Sequence, residues 1–276
     1  MMREKLLKEI ETRGDLPPLP EIVHRLRKMI EDPNSGAQDV ARVVQSDPVL
    51  AGRLLQLANS VYWRGGSVEV TRLTKALSRL GLKMALDLAY SMELPKLFQR
   101  EQLIKQADFW KYSLGLAIVA QSLSKRLKAN RNEQSNAYLG GLMRNTGVLV
   151  FAHLMPKEYG ELIAKVSEEK GVLEDAETQA FGISRAEIGA CFVERWWPVS
   201  PDVLSAVRER PTRIKVELAN VVPMASCFLN WAGMPDGTGA QERRLPPRYM
   251  QLRFGFTQKD CEQLRDEVDI GVAILS

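Results

Sequence analysis

The most informative part of the sequence is AYLGGLMRNTGVLVF, which runs from Ala137 to Phe151. Apolar and small residues in a helical pattern flank a polar centre formed by Arg144, Asn145 and Thr146. A guanidinium in such a run must reach water, a carboxylate or a ligand, because burying it without a partner is very costly. The surroundings of Arg144 are therefore central to the function of this chain.

The apolar residues follow a helical period along almost the whole chain, and no segment shows the alternation of a β-strand. We therefore predict an all-α fold. Local capping signals mark several helix starts. These predicted starts are Asp47 with Pro48, Ser35 with Gln38, and Ser184 with Glu187.

The domain organisation is predicted from prolines and from a change in helical pattern. Residues 15–20 (DLPPLP) should form an extended connector, because each proline fixes its own φ and disfavours helix in the residue before it. Around residues 95–99 the helical segments become longer and more apolar. We predict an N-terminal helical lobe over residues 1–98, a second helical lobe over 99–232 and a C-terminal extension over 233–276.

Composition and charge exclude several classes of function. The net charge of +4 comes from basic residues scattered among acidic ones, and aromatic residues are few, so we do not expect nucleic-acid binding. The three cysteines, Cys191, Cys227 and Cys261, are too far apart to indicate a zinc site or a disulfide framework. No apolar run is long enough to span a membrane, and the N-terminus lacks a signal-peptide core, so we expect a cytoplasmic protein.

The residues that most enzymes use are scarce. The chain has two histidines, His24 and His153, and neither has a histidine or a carboxylate three or four residues further on. No phosphate-binding loop, nucleophile elbow or zinc-protease motif occurs. Since histidine is the usual side chain for acid–base work and metal binding, we expect no catalytic residues, no metal ligands and no cofactor.

Six blocks of the sequence, taken in order, resemble the HDOD family, the HD-related output domains of bacterial signalling proteins. The blocks are LPPLP, DPVLAGRLLQLANSVYW, TRLTKALSRLGLK, FWKYS, AYLGGLMRNTGVLVF and FGISRAEIGACFVERWW, and they lie within residues 16–232. The resemblance implies an N-terminal helical bundle packed on a bundle like that of HD phosphohydrolases. It also implies a signal-transduction module that acts through a protein partner.

True HD enzymes hold one or two metal ions with histidines and aspartates, and the metal polarises phosphate and activates water. On the resemblance, these ligand positions fall on other residues, namely Tyr112, Arg144, Asn145, Arg185, the pair Glu209 and Arg210, and a position near Ser226. Arginine has no lone pair to offer a cation and would repel it. The resemblance therefore implies a degenerate metal site and no enzymatic activity, with a residual metal-dependent phosphohydrolase as the alternative.

Two roles are open for the arginines of this remnant cleft. In the role that we favour, Arg144 and Arg185 pair with carboxylates such as Glu187 or Glu209 and hold helices together. In the other role they form a cationic pocket for a small anion, such as a nucleotide phosphate, through bidentate contacts. The candidate ligand-binding residues are Tyr112, Arg144, Asn145, Arg185, Glu209 and Arg210.

The LANS segment that ends at Ser60 is also open to two interpretations. Its polar residues can end a helix and hold the following loop. Alternatively, the segment belongs to a partner-binding surface with exposed anchors. The candidate residues of that surface are Asn59, Tyr62, Trp63 and Arg64. We expect, in sum, a non-catalytic regulatory module that binds a protein partner, and gating by a small anionic ligand stays open.

Overall fold

The computed structural model describes residues 2–12, 20–64, 68–97, 103–197, 199–208, 220–240, 250, 252 and 254–273. Within these ranges all regular secondary structure is helical and no β-strand occurs, which confirms the predicted all-α fold. None of the helices in these ranges combines the length and the apolar character needed to cross a membrane.

The helices of the first 97 residues are α1 (Met2–Thr12), α2 (Glu21–Glu31), α3 (Ala37–Gln45), α4 (Pro48–Asn59), α5 (Val61–Arg64), α6 (Leu73–Leu80) and α7 (Leu82–Leu97). Those that follow residue 103 are α8 (Gln106–Arg126), α9 (Arg131–Met143), α10 (Thr146–Leu154), α11 (Pro156–Glu169), α12 (Leu173–Phe181), α13 (Arg185–Trp196), α14 (Pro201–Arg208), α15 (Val221–Ala232) and α16 (Gln258–Ala273).

The chain divides into two compact units. The larger unit comprises Met1–Pro17 and Phe98–Val268. The smaller unit comprises Pro18–Leu97 and Asp269–Ser276. Each unit has its own set of buried apolar side chains, and the functional residues inferred from the sequence fall in both.

This division differs from the predicted lobe limits in the placement of α1, which belongs to the larger unit and not to a lobe of residues 1–98. Leu6 and Ile10 of α1 are buried, and α1 packs against α13. The indole N–H of Trp196 donates to the Ile10 carbonyl at 3.3 Å. Helix α1 is placed by its apolar face, which finds its partner far away in the sequence.

Local capping explains several helix starts in the smaller unit. The Asp47 carboxylate accepts two backbone N–H groups of α4, each at 3.0 Å, as predicted. The predicted capping box of Ser35 with Gln38 is wrong. Helix α3 instead begins after Gly36, whose N–H donates to the Asp39 carboxylate at 2.9 Å. The start lies one residue later because a carboxylate at the third helical position reaches back to the cap more effectively than Gln38 can from the second.

Helix α8 runs through the core of the larger unit, with buried side chains on most of its length, and packs against α9 and α15. Helices α10 and α13 cross unusually closely. A Cβ placed on Gly147 would lie 1.9 Å from the Arg185 carbonyl oxygen, and one on Gly189 would lie 2.7 Å from the Gly147 nitrogen. This crossing brings the turn between α9 and α10 next to the first turn of α13.

The N-terminus of α13 carries the capping box predicted for Ser184 with Glu187. The Ser184 hydroxyl accepts the Glu187 N–H at 3.3 Å, and the Ser184 N–H donates to the Glu187 carboxylate at 3.1 Å. The other Glu187 oxygen lies 3.4 Å from the guanidinium of Arg3 in α1. Glu187 therefore organises the start of α13 and contacts α1.

The segment from residue 254 to α16 is attached to α8 mainly through Arg126. The Arg126 guanidinium donates to the carbonyls of Phe254, at 3.3 Å, and Gly255, at 2.9 Å, and to both oxygens of Asp260, each at 3.3 Å. It also lies 4.4 Å from the ring centroid of Phe256, a cation–π distance. This part of the C-terminal region is thus an integral part of the larger unit.

Candidate functional site

Arg144 is buried in the turn between α9 and α10, with a relative exposure of 4%. Its guanidinium donates to the Val207 carbonyl of α14. A second guanidinium nitrogen lies 3.7 Å from the carboxylate of Glu174 in α12. Arg144 therefore joins three helices, and its charge faces a carboxylate of the same chain.

Arg185, the first residue of α13, is paired even more closely. Its Nε and Nη2 atoms each lie 2.8 Å from Oε1 of Glu177 in α12, and its backbone N–H donates to Oε2 of the same carboxylate at 2.8 Å. The Tyr159 hydroxyl of α11 donates to Oε1 at 2.7 Å. Glu177 is completely buried, so one carboxylate gathers charge-assisted hydrogen bonds from two helices.

Burial and charge shift the pKa values in this cluster. Burial raises the pKa of Glu177, and the Arg185 guanidinium opposes that shift. Burial also raises the pKa of Tyr159 well above its ordinary value, and the adjacent Glu177 carboxylate raises it further. Tyr159 therefore remains a hydrogen-bond donor at neutral pH.

A second carboxylate reaches Arg185 from the loop after α15. Oδ2 of Asp236 lies 3.6 Å from Nη1 of Arg185, and both side chains are about 95% buried. Together the two guanidinium groups of Arg144 and Arg185 face three carboxylates, those of Glu174, Glu177 and Asp236. This balance does not form the cationic pocket that an anion sensor needs.

The expected carboxylate partners of the arginines differ from those in the structure. Glu187 caps α13 and faces Arg3 instead. Glu209 and Arg210 lie outside the described residues. The sequence analysis missed Glu174, Glu177 and Asp236. Glu177 has one signal in the sequence: it stands in an otherwise amphipathic segment at a position that the helix buries.

Tyr112 and Ser226, which the resemblance places at the first and last ligand positions, come together in the structure. The Tyr112 hydroxyl lies 3.1 Å from the Ser226 hydroxyl and 3.3 Å from its carbonyl, and it donates to Oδ1 of Asn230 at 2.6 Å. Asn230 was missed, although it lies four residues after Ser226 and therefore on the same face of α15. These groups join α8 to α15 by neutral hydrogen bonds.

Asn145 is buried immediately after Arg144, at the start of α10. Its side chain makes no capping hydrogen bond to that helix. An amide at this position retains the shape of an aspartate without its charge. Asn145 therefore contributes no negative charge to the cleft.

The metal centre of true HD enzymes does not fit these residues. Tyr112, Arg144, Asn145 and Arg185 occupy the implied ligand positions, and the arginines are permanent cations with no lone pair for a metal ion. Within the described part of the chain, no group of three or more histidine, cysteine, aspartate or glutamate residues is arranged to hold a metal ion.

The LANS segment holds a loop in the smaller unit. The Asn59 amide donates to the Val70 carbonyl at 2.8 Å and accepts the Val70 N–H at 2.8 Å. Arg79 of α6 donates to the carbonyls of Ala58, at 2.9 Å, and Val68, at 2.7 Å. The sequence analysis missed Arg79. We call residues 59–70 the clamped loop, because both of its ends are tied to helices.

The clamped loop presents some of the predicted partner-surface residues to solvent. Arg64 is exposed and Trp63 is partly exposed, while the side chain of Tyr62 lies outside the described residues. Val68 is 85% exposed. The structure therefore supports the loop-holding interpretation of Asn59 and leaves its neighbours accessible for contact with another molecule.

An all-helical chain with arginines in an HD-type cleft defines an HD-related domain protein without the usual metal ligands. The chain belongs to the HDOD domain family, because the family model described as HDOD domain matches residues 16–210. This confirms the resemblance seen in the sequence.

Similar proteins support the fold. The chain is 29% identical over 213 residues to an uncharacterised protein of Treponema pallidum (strain Nichols), which covers 74% of this chain and 39% of that protein. The chain thus spans about two fifths of the length of this curated relative.

Solved structures of the same fold cover almost the whole chain. An HDOD domain protein from Geobacter sulfurreducens is 22% identical with a TM-score of 0.72, covering 99% of this chain and 97% of that one. A candidate phosphohydrolase from Shewanella amazonensis SB2B is 22% identical with a TM-score of 0.73, covering 100% of both chains. A candidate signal transduction protein from Marinobacter aquaeolei VT8 is 24% identical with a TM-score of 0.69, covering 99% of this chain and 64% of that one. Likeness at this level of identity concerns the fold.

Proposed function

We propose that this chain is a non-catalytic regulatory module of bacterial signal transduction, located in the cytoplasm, that acts by binding a partner protein. The observation that carries the proposal is the buried pairing of Arg185 with Glu177 at 2.8 Å. This pair places an internal ion pair where an HD enzyme would hold its metal. The cleft then has a structural role, and function falls to the surface.

The absence of catalysis follows from the chemistry of the side chains. Metal-dependent hydrolysis requires ligands that donate lone pairs and an open position for water. Arg144 and Arg185 offer donors only, and their charge repels a cation. The alternative, a residual phosphohydrolase, matches the name of the Shewanella structure, but that structure resembles this chain in fold alone.

Gating by a small anion is the less favoured form of the proposal. Such a sensor would need Arg144 and Arg185 to be available to a ligand. Arg144 faces Glu174 and Arg185 faces Glu177 and Asp236. An anion would have to displace a carboxylate that is already buried against its guanidinium.

The clamped loop is the surface that we assign to the partner. Hydrogen bonds from Asn59 and Arg79 order the loop before binding, which lowers the entropy lost in a complex. Exposed Val68 supplies an apolar contact and exposed Arg64 a charged one. Residues 48–86 contain six basic residues and one acidic residue. This charge favours an acidic protein surface as the partner.

Metal analysis tests the non-catalytic part of the proposal. Protein purified without chelators is expected to carry no transition metal in stoichiometric amount, as measured by elemental mass spectrometry. One equivalent of metal per chain, together with hydrolysis of a phosphodiester substrate, would show that the protein is an enzyme. Such a result would point to ligands among the aspartate, glutamate and cysteine side chains.

Photo-crosslinking tests the interaction surface. A photo-reactive amino acid is placed at Val68, and in a separate variant at Glu168, which is exposed on α11 of the larger unit. In cells of the source organism, we expect a discrete protein adduct from position 68 and none from position 168. The adduct should be lost when Asn59→Leu releases the loop. Equal adducts from both positions would contradict the proposal, and an adduct removed by nuclease would assign the surface to nucleic acid.

A further inference from the structure

The loop after α15 inserts the short segment 236–238 into the larger unit. Asp236, Gly237 and Thr238 are buried, although they lie beyond the residues matched by the family model. The Gly237 carbonyl accepts the Lys105 N–H at 3.1 Å, just before α8. A Cβ on Gly237, which has a φ of +86°, would come within 2.9 Å of the Lys105 carbonyl oxygen. We call residues 236–238 the plug.

The two carboxylates on Arg185 are held very differently. Glu177 belongs to a helix and contacts the guanidinium and the backbone N–H of Arg185 at 2.8 Å. Asp236 belongs to a loop, and its Oδ2 atom stands off at 3.6 Å from Nη1. Oδ2 is buried and has no hydrogen-bond partner among the described residues. Asp236 is therefore the more weakly attached of the two anions.

The other Asp236 oxygen identifies the remaining donors of the site. Oδ1 accepts the backbone N–H of Thr238 at 2.9 Å and its hydroxyl at 2.7 Å. The carboxylate of Asp236 is thus surrounded by one cationic donor, Nη1 of Arg185, and by two neutral donors of Thr238. Removal of the carboxylate would leave these buried donors facing a space of the size of one carboxylate group.

We propose that Arg185 and Thr238 form a carboxylate-binding site which the chain fills with its own Asp236. The C-terminal plug then acts as an internal ligand that closes the cleft to external carboxylates. A free carboxylate binds only when Asp236 has been removed or displaced. This inference does not depend on the partner surface proposed above, so the two can fail separately.

Chemical rescue with formate tests the site. Asp236→Ala removes the carboxylate and opens the space, while Asp236→Asn removes the charge and keeps the volume filled. The melting temperatures of wild type and of both variants are measured in sodium formate and in sodium chloride at equal ionic strength. Formate should raise the melting temperature of Asp236→Ala by several degrees more than chloride does. Wild type and Asp236→Asn should respond equally to the two salts.

Equal responses of the alanine and asparagine variants to formate would overturn the proposal, as would an equal response of wild type. If Asp236→Ala does not fold in chloride, refolding is compared in formate and in chloride, with Asp236→Ser as a second opened variant. Recovery in formate alone supports the site. Failure of both variants in both salts would overturn it, because a filled site would have restored the lost contacts.

Discussion

Arg185 and Glu177 form an ion pair that is almost completely removed from water, with two guanidinium nitrogens and one backbone N–H each 2.8 Å from the carboxylate. The pair joins the start of α13 to α12, and Tyr159 adds a third helix. A buried pair of this kind gives little net stability over an apolar core, but it is very sensitive to the loss of one partner. Its residues are therefore the best test of the structural role of the cleft.

Glu177→Ala is expected to destabilise the larger unit by about 3–5 kcal/mol, because it leaves Arg185 buried with only the distant Asp236. The matched control is Arg3→Ala, which removes the pair with Glu187 at a side chain that is 53% exposed. That change should cost less than about 1 kcal/mol. Urea unfolding followed by tryptophan fluorescence measures both, and equal effects would mean that the buried pair is unimportant.

The stability difference between wild type and Glu177→Gln should depend on pH. Burial raises the pKa of Glu177 in the folded protein above its ordinary value of 4.5. The folded state then binds the proton more tightly than the unfolded state does. The stability from this group is fully present below pH 4.5 and is lost as the pH rises through the folded pKa. Urea midpoints across this range should show wild type losing stability relative to the variant, and a gain would contradict the direction of the shift.

Gly147→Ala is expected to disrupt the crossing of α10 and α13. The added Cβ would lie 1.9 Å from the Arg185 carbonyl oxygen, which is backbone and cannot move aside alone. We expect a loss of about 3 kcal/mol or more in the free energy of unfolding. Gly52→Ala in α4 is the control, because nothing lies within 4 Å of its added Cβ. That change should stabilise the protein by up to about 1 kcal/mol.

Tyr90→Phe is expected to leave the smaller unit as stable as wild type, or to stabilise it by about 1 kcal/mol. The Tyr90 hydroxyl of α7 is buried and has no hydrogen-bond partner among the described residues. Burial raises the pKa of Tyr90 to about 12, so the hydroxyl stays neutral. Thermal unfolding by circular dichroism measures the change, and a marked loss of stability would reveal a hydrogen bond at this hydroxyl.

Asn59→Leu should release the clamped loop by removing both hydrogen bonds to Val70. The amide of Val70 is then expected to exchange with deuterium at least tenfold faster, which corresponds to a loss of about 1.4 kcal/mol or more. Gln56→Leu, an exposed change one turn earlier in α4, is the control and should leave exchange at Val70 unaltered. Unchanged protection in Asn59→Leu would show that Arg79 alone holds the loop.

Local features were read correctly where the interacting groups are neighbours in the sequence. Asp47 caps α4, and Ser184 with Glu187 caps α13, because the spacing of side chain and backbone alone sets these hydrogen bonds. The start of α3 was misjudged by one residue, because Asp39 competes for the same role. The joining of Tyr112 to Ser226 came from the family resemblance, since a helical period does not show which helices meet.

The sequence by itself determined that the chain is all-helical, that its HD ligand positions carry arginines, and that Arg144 and Arg185 need partners. Only the tertiary structure decided who those partners are. Glu177 precedes Arg185 by eight residues, and Asp236 reaches it from a loop beyond the family match. Helix periodicity is a local property of the chain. The neighbour of a buried charge depends instead on how distant helices and loops pack, which the spacing of residues does not encode.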